Sequence, residues 1–189
     1  MTREEAKARF TKYLKSNFIK FHEKIENGVV MYQIEYNNYK FCPENKLESC
    51  IWFAPDNMEV RIYYSIVGAE ICKESKHIPE LMRLLNYINA TVWPMSLDRK
   101  GGTLYKPQIL YLPRIYMTED DEMPVVNLAL PVNYAFYEAV PLETEDFITA
   151  CCPDLMNMLA FAIFGLLLGE ANLEQAMAYV RKNMFGTDM

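Results

Sequence analysis

Five cysteines, two histidines and one dense run of acids are the residues whose side chains could perform chemistry in this chain. The thiols stand at Cys42, Cys50, Cys72, Cys151 and Cys152 with no CxxC spacing, and the only histidines are His22 and His77. A tetrahedral zinc site therefore lacks its usual ligand set. Adjacent cysteines bridge one another only with backbone strain, so Cys151 and Cys152 read as free, buried thiols of a reducing compartment. Nucleophilic catalysis would want a thiol or hydroxyl beside a histidine, and no GxSxG or comparable signature accompanies any candidate. Glu119, Asp120, Asp121 and Glu122 offer oxygens to a hard cation. The calcium-loop spacing with its central glycine is absent, however, and a solvated hairpin turn is the expectation. Glu143, Glu145 and Asp146 fall near a helix start, where negative charge suits the dipole. Neither GxxxxGKS/T nor GxGxxG occurs, so nucleotide binding has no support. No catalytic residue, metal ligand or cofactor is assigned.

What remains is contact chemistry. The chain is 51% hydrophobic, and its 12 methionines, 13 tyrosines, 10 phenylalanines and 2 tryptophans exceed what a plain core needs. Met156, Met158, Phe161 and Phe164 lie in a segment apolar all round, which is either buried centrally or meets a subunit or peptide. Methionine's flexible thioether suits surfaces that adapt to varied partners. Met31, Trp52 and Tyr63, on outward-looking strand positions, complete the candidate interaction surface. The alternative reading is a small anionic ligand in a tyrosine-lined pocket, with Arg61 or Arg114, both on strands, reading the anion. Charge excludes one partner class. Residues 1–25 carry seven Lys/Arg against three Glu, while the remainder is strongly acidic and the whole chain has a net charge of -6. An acidic body repels a phosphate backbone, so no nucleic acid is expected.

The elements that must position these residues follow from periodicity. Thr2 and Glu5 form a capping-box pair, and Phe10, Leu14, Phe18, Phe21 and Ile25 line one stripe of a first helix closed by Gly28. Alternation marks strands over Val30–Tyr36, Leu47–Phe53 and Val60–Ile66, an antiparallel meander. Ser75 and Pro79 open a second helix with Ile78, Leu81, Leu85, Ile88 and Val92 inward, closed by Trp93-Pro94. A loop with Gly101-Gly102 precedes Ile109–Met117, an edge or bulged strand because it carries Pro113, and the 118–124 turn leads to Val125–Val132. Glu143–Cys151 begins a helix that Pro153 interrupts and Leu155–Leu168 continues. That apolar run is shorter than the roughly 20 residues a bilayer requires, so no membrane span is expected. Asn172 and Gln175 cap a last helix ending at Gly186. The order α-β-β-β-α-β-β-α-α predicts one α+β domain over residues 1–189: a twisted antiparallel sheet with helices packed on it and an additional C-terminal helix at about 171–185.

The stretch Leu84-Leu85-Asn86-Tyr87-Ile88-Asn89-Ala90 resembles the helix-ending LLNxxNA pattern of YbjN-like bacterial proteins. As in that family, a strand, an acidic turn and a second strand (Val125–Leu130) come next, and the segment Val140–Phe147 falls where the last domain helix begins. The likeness in element order covers roughly residues 1–168. It implies the fold of type III secretion chaperones, often dimeric, and a non-catalytic module that binds a polypeptide or regulatory partner. The long loop at 94–108 and the extra C-terminal helix depart from that pattern. The expectation is a cytoplasmic interaction module that buries an apolar segment of a protein partner, or of its own copy as a homodimer, against its sheet and C-terminal helices.

Overall fold

The computed structural model describes residues 1–97, 105–107, 111–118 and 123–184. The acidic run at 119–122, the Gly101-Gly102 loop, the start of the expected strand at 109–110 and Gly186 lie outside them. The chain is an α+β fold built on a six-stranded antiparallel sheet. Its strands are β1 (His22–Glu26), β2 (Val29–Asn37), β3 (Lys46–Phe53), β4 (Asn57–Tyr64), β7 (Arg114–Thr118) and β8 (Val125–Asn133), in the order β1-β2-β3-β4-β8-β7. Two short strands, β5 (Met95–Leu97) and β6 (Tyr105–Pro107), pair separately inside the expected loop.

The first helix, α1 (Arg3–Ser16), carries the expected capping box but stops well before Gly28. Asn17 caps it, Phe18 takes a φ of 56°, and the chain turns back as β1. Asn27 (φ 51°) and Gly28 (φ 79°) form a two-residue turn between Glu26 and Val29, which face each other across the hairpin. Positive φ at both positions gives the right-handed twist the strands need, and asparagine and glycine are the residues that adopt it. Phe18 and Ile25 accordingly stand exposed, while Ala6, Phe10 and Leu14 are buried.

β4 likewise ends at Tyr64, and Ile66 starts a further helix, α2 (Ile66–Glu74), rather than closing the strand. There Gly68 passes so close to Tyr64 that a Cβ on it would lie 2.7 Å from the tyrosine's own. α3 (Ile78–Thr91) has Pro79 in its first turn and buries Leu81, Leu85 and Ile88 of the predicted stripe, together with Leu84, while Ile78 and Val92 at its ends are half-buried. After β8 come α4 (Tyr134–Ala139) and α5 (Pro141–Asp146), then a π-helical stretch at Phe147–Cys151 that leads into α6 (Cys152–Leu167). The helix widens just before Pro153, whose ring nitrogen has no hydrogen to give the preceding turn. Pro141–Leu167 is thereby one helical run of 27 residues, and length and composition alone would suit a bilayer crossing. They equally suit a core helix, and 67% of its most apolar window is buried in the protein. α7 (Leu173–Asn183) closes the described chain, with the Asn172–Gln175 capping box at its start.

Helices pack on one face of the sheet. The core joins Phe10 and Leu14 of α1, Ile34, Ile51, Phe53, Val60, Ile62, Leu128 and Leu130 of the strands, and Met156, Leu159, Ile163 and Phe164 of α6. Met31 and Cys50 are buried too, yet they stand outside this cluster, on the opposite face.

Candidate functional site

The nine residues singled out from sequence separate into three places. Met156 and Phe164 belong to the core: the Met156 carbonyl accepts from the Tyr64 hydroxyl at 2.8 Å, and Phe164 meets the Tyr64 ring edge-on at 4.8 Å. These two have no contact surface to offer, because α6 turns them toward the sheet.

Met31, Trp52, Tyr63, Arg61 and Arg114 share the helix-free face of the sheet. Register places Gln33, Cys50, Arg61, Ala129 and Arg114 on one row across five strands, with Met31, Trp52 and Glu59 on the next. Most of the face closes on itself. The Trp52 indole donates to Glu26 at 2.6 Å, and Cys50 Sγ lies 3.4 Å from the Tyr63 hydroxyl. Arg61 donates to Glu59 Oε1 through Nε (2.9 Å) and Nη2 (2.6 Å), with its guanidinium 5.5 Å from the Trp52 ring. Met31 sits outward as its strand position predicts but is only 7% exposed. Arg114 is exposed, and no hydrogen bond or ion pair holds it among the described residues.

Met158 and Phe161 are the two remaining members, both exposed on α6, and Phe161 lies on a groove between α6 and α7. Its ring stacks on Tyr179 at 4.5 Å and meets Phe41 edge-on at 6.0 Å. Sequence reasoning passed over both partners. Phe41 is brought there by Asn157, the polar residue inside the apolar run: its Oδ1 accepts from the Phe41 N–H at 3.1 Å and from the Cys42 thiol at 3.7 Å. Lys40 then lies over the Phe41 ring, 4.6 Å from its centre. Tyr179 is set by α7, which folds back along α6 through a turn in which the Ala171 N–H donates to Gly165 O. The resulting groove holds about 840 Å³, with Phe41, Phe161, Gly165, Leu168 and Tyr179 on its walls and Lys182 beside them. Burial raises the Tyr179 hydroxyl above its usual range. Met158 lies instead beside Trp93 in a separate hollow.

The thiols and two of the acids near Pro141 are taken up by the packing of the protein. All five cysteines are free and buried. Burial pushes the Cys42 thiol up to about 12 and Cys72 to about 11, away from the thiolate a nucleophile needs. Glu145 and Asp146 do not serve the helix start as expected. They lie buried at the far end of α5 and tie it to its neighbours, because the helix turns them inward rather than toward the capping positions. Glu145 accepts from the Tyr137 hydroxyl at 2.6 Å with Arg9 at 3.4 Å, and Asp146 accepts from the Tyr13 hydroxyl at 2.9 Å. No group of three or more histidines, cysteines or acids with metal-binding geometry occurs among the described residues.

No protein-family model matches the chain, and neither does any curated protein or solved structure.

Proposed function

We propose that the protein is a non-catalytic binding module that takes an apolar helical segment of a partner polypeptide into the groove between α6 and α7. The observation that carries this reading is Phe161. A large aromatic side chain, 53% exposed on the protein's most apolar helix, is flanked by Phe41 and Tyr179 in a concave site. Such a cluster costs free energy in water and gains it when covered, and a hollow aromatic site is where binding energy concentrates. Groove length suits a helix. The eleven residues of α7 give a wall of about 16 Å, which faces three turns of an incoming helix. Lys182 and Glu170 both line the groove and Lys40 stands over its Phe41 wall, so the rim offers charge of both signs to the flanks of that segment. The likeness to YbjN-like proteins points the same way, and the reduced thiols suit a cytoplasmic setting.

A photo-crosslinking amino acid at position 161, in native cells, tests the reading. The expected result is a discrete adduct with one polypeptide, absent when the same residue replaces Phe18, which is 92% exposed but does not line this groove. An adduct of twice the chain's own mass would identify the partner as a second copy. No adduct at 161, or the same adducts from both positions, rejects the groove as a docking site.

A further inference from the structure

Arg114 stands at one of the two edges of the sheet, each of which sets a five-residue strand beside a nine-residue one. β7 spans five residues and β8 nine, and their pairing ends where Arg114 faces Ala129. Beyond that rung Pro131 still pairs with Glu59 of β4 but has no strand on its β7 side, and a hollow of about 900 Å³ opens there at the sheet edge, beside the end of α3. Its size is that of a small-molecule site, roughly 300–1,000 Å³. Ile88, Val92, Pro94, Leu112 and Leu155 make its walls apolar, and Leu112 is 75% exposed on them.

Two features say what chemistry this hollow accepts. The first is electrostatic. Two full charges line it, Glu59 and Arg114, and Glu59 is held by Arg61 through two hydrogen bonds to one oxygen. Arg114 has no such partner among the described residues, so its guanidinium is the uncompensated charge over an apolar floor. The second feature concerns the backbone. The Asn89 side chain donates to Ile115 O at 2.7 Å and accepts from Ile115 N–H at 3.0 Å. That amide occupies the edge position an added strand would use, so a ligand is recognised by its charge and apolar body rather than by sheet extension.

We propose that this hollow binds an apolar carboxylate, with Arg114 as the anion contact and the Leu112–Val92–Leu155 walls covering the hydrocarbon. A guanidinium matches a carboxylate with two parallel hydrogen bonds, which an alcohol of the same length cannot use. The inference is independent of the α6–α7 groove, and failure of one leaves the other standing.

The test is an amide-resolved titration of the full chain with octanoate and, in parallel, with octanol. Octanoate is expected to shift the Asn89, Val92, Arg114 and Ile115 amides saturably and to bind at least about tenfold more tightly than octanol. Arg114→Gln abolishes that preference, and Arg114→Lys keeps part of it, since charge remains while the fork is lost. An apolar hexapeptide with a free C-terminal carboxylate, set against its amide, separates the two sources of such a group. If the peptide acid binds through Arg114 and octanoate does not, the ligand is a chain terminus and the chemistry holds. If neither acid is preferred over its neutral counterpart, if Arg114→Gln keeps the preference, or if the shifts fall elsewhere, the proposal is overturned. The comparison within the wild-type chain needs no variant to fold.

Discussion

Glu145 is a carboxylate at 3% exposure whose surroundings oppose one another. Burial raises its affinity for a proton, while the Tyr137 hydroxyl and the nearby Arg9 work to lower it. Burial wins, and Glu145 stands above the ordinary carboxylate value of 4.5. The sign of the linked stability follows. A carboxylate raised in the folded state contributes stability that is fully present below its unfolded value and is lost as pH rises through the folded one. Glu145→Gln keeps an oxygen for Tyr137 and does not titrate. Thermal melts of the two proteins at about pH 4 and about pH 7 should therefore show the variant gaining on the wild type toward neutral pH. A wild type that gains on the variant instead would mean that Arg9 outweighs burial. Residue roles of this kind were the least legible part of the sequence. Asp146 and Glu145 follow Pro141 closely enough to pass for helix-start acids, and only the packing of α1 and α4 around them shows otherwise. Asn157 carries no signal of its own inside the Leu155–Leu168 run, yet its side chain is the bracket that holds Phe41 in the groove.

At the scale of elements, local signals succeeded wherever one signal acted alone. Alternation in β2, β3 and β4 and the stripe of α3 are reproduced because each face meets a single environment. Two signals competed at the end of α1. Phe18, Phe21 and Ile25 continue a helical spacing by coincidence, while Asn27-Gly28 marks a hairpin, and the turn prevails because few residues other than asparagine and glycine accept its positive φ. Asparagine also settles the opposite edge of the sheet. In the Leu84–Ala90 stretch Asn86 is exposed, with no side-chain partner among the described residues, but Asn89 fills both backbone groups of Ile115 on the outer side of β7. Removing it uncovers a donor and an acceptor at a partly buried position, at about 1–3 kcal/mol. Asn89→Ala should lose stability in that range by denaturant titration, with faster hydrogen exchange at the Ile115 amide. Asn86→Ala should stay within about 0.5 kcal/mol of wild type. Equal losses from both would mean that the pair acts through helix propensity and leaves the edge clamp without energetic weight.

For the whole molecule, fold class was legible and strand order was not. Class follows from the kinds of element present, whereas order depends on which distant strands meet. β7 and β8 form the expected hairpin, yet β8 also pairs along its other side with β4, more than sixty residues earlier in the chain. That pairing places α2 and α3 in the connection between two neighbouring strands. Its consequence is cooperative. The buried cluster runs without a break from Ala6 of α1 through the sheet to Leu81 of α3, Phe164 of α6 and Val180 of α7, so none of these helices can leave without opening apolar surface on its neighbours. Arg9 and Tyr13 of α1 reinforce this by pairing with Glu145 and Asp146 of α5. Unfolding should then be a single transition despite a length at which intermediates become common. Trp52 reports from the helix-free face of β3, and Trp93 from the end of α3 beside Met158. Trp93→Phe leaves the first probe and Trp52→Phe the second. Denaturant midpoints from either fluorescence signal, each set against far-UV dichroism of the same variant, should coincide. A Trp93 signal that changes before the helical signal would show that α3 and the C-terminal helices separate from the sheet as a unit of their own. The α6–α7 groove would then belong to an independently opening element rather than to a rigid platform.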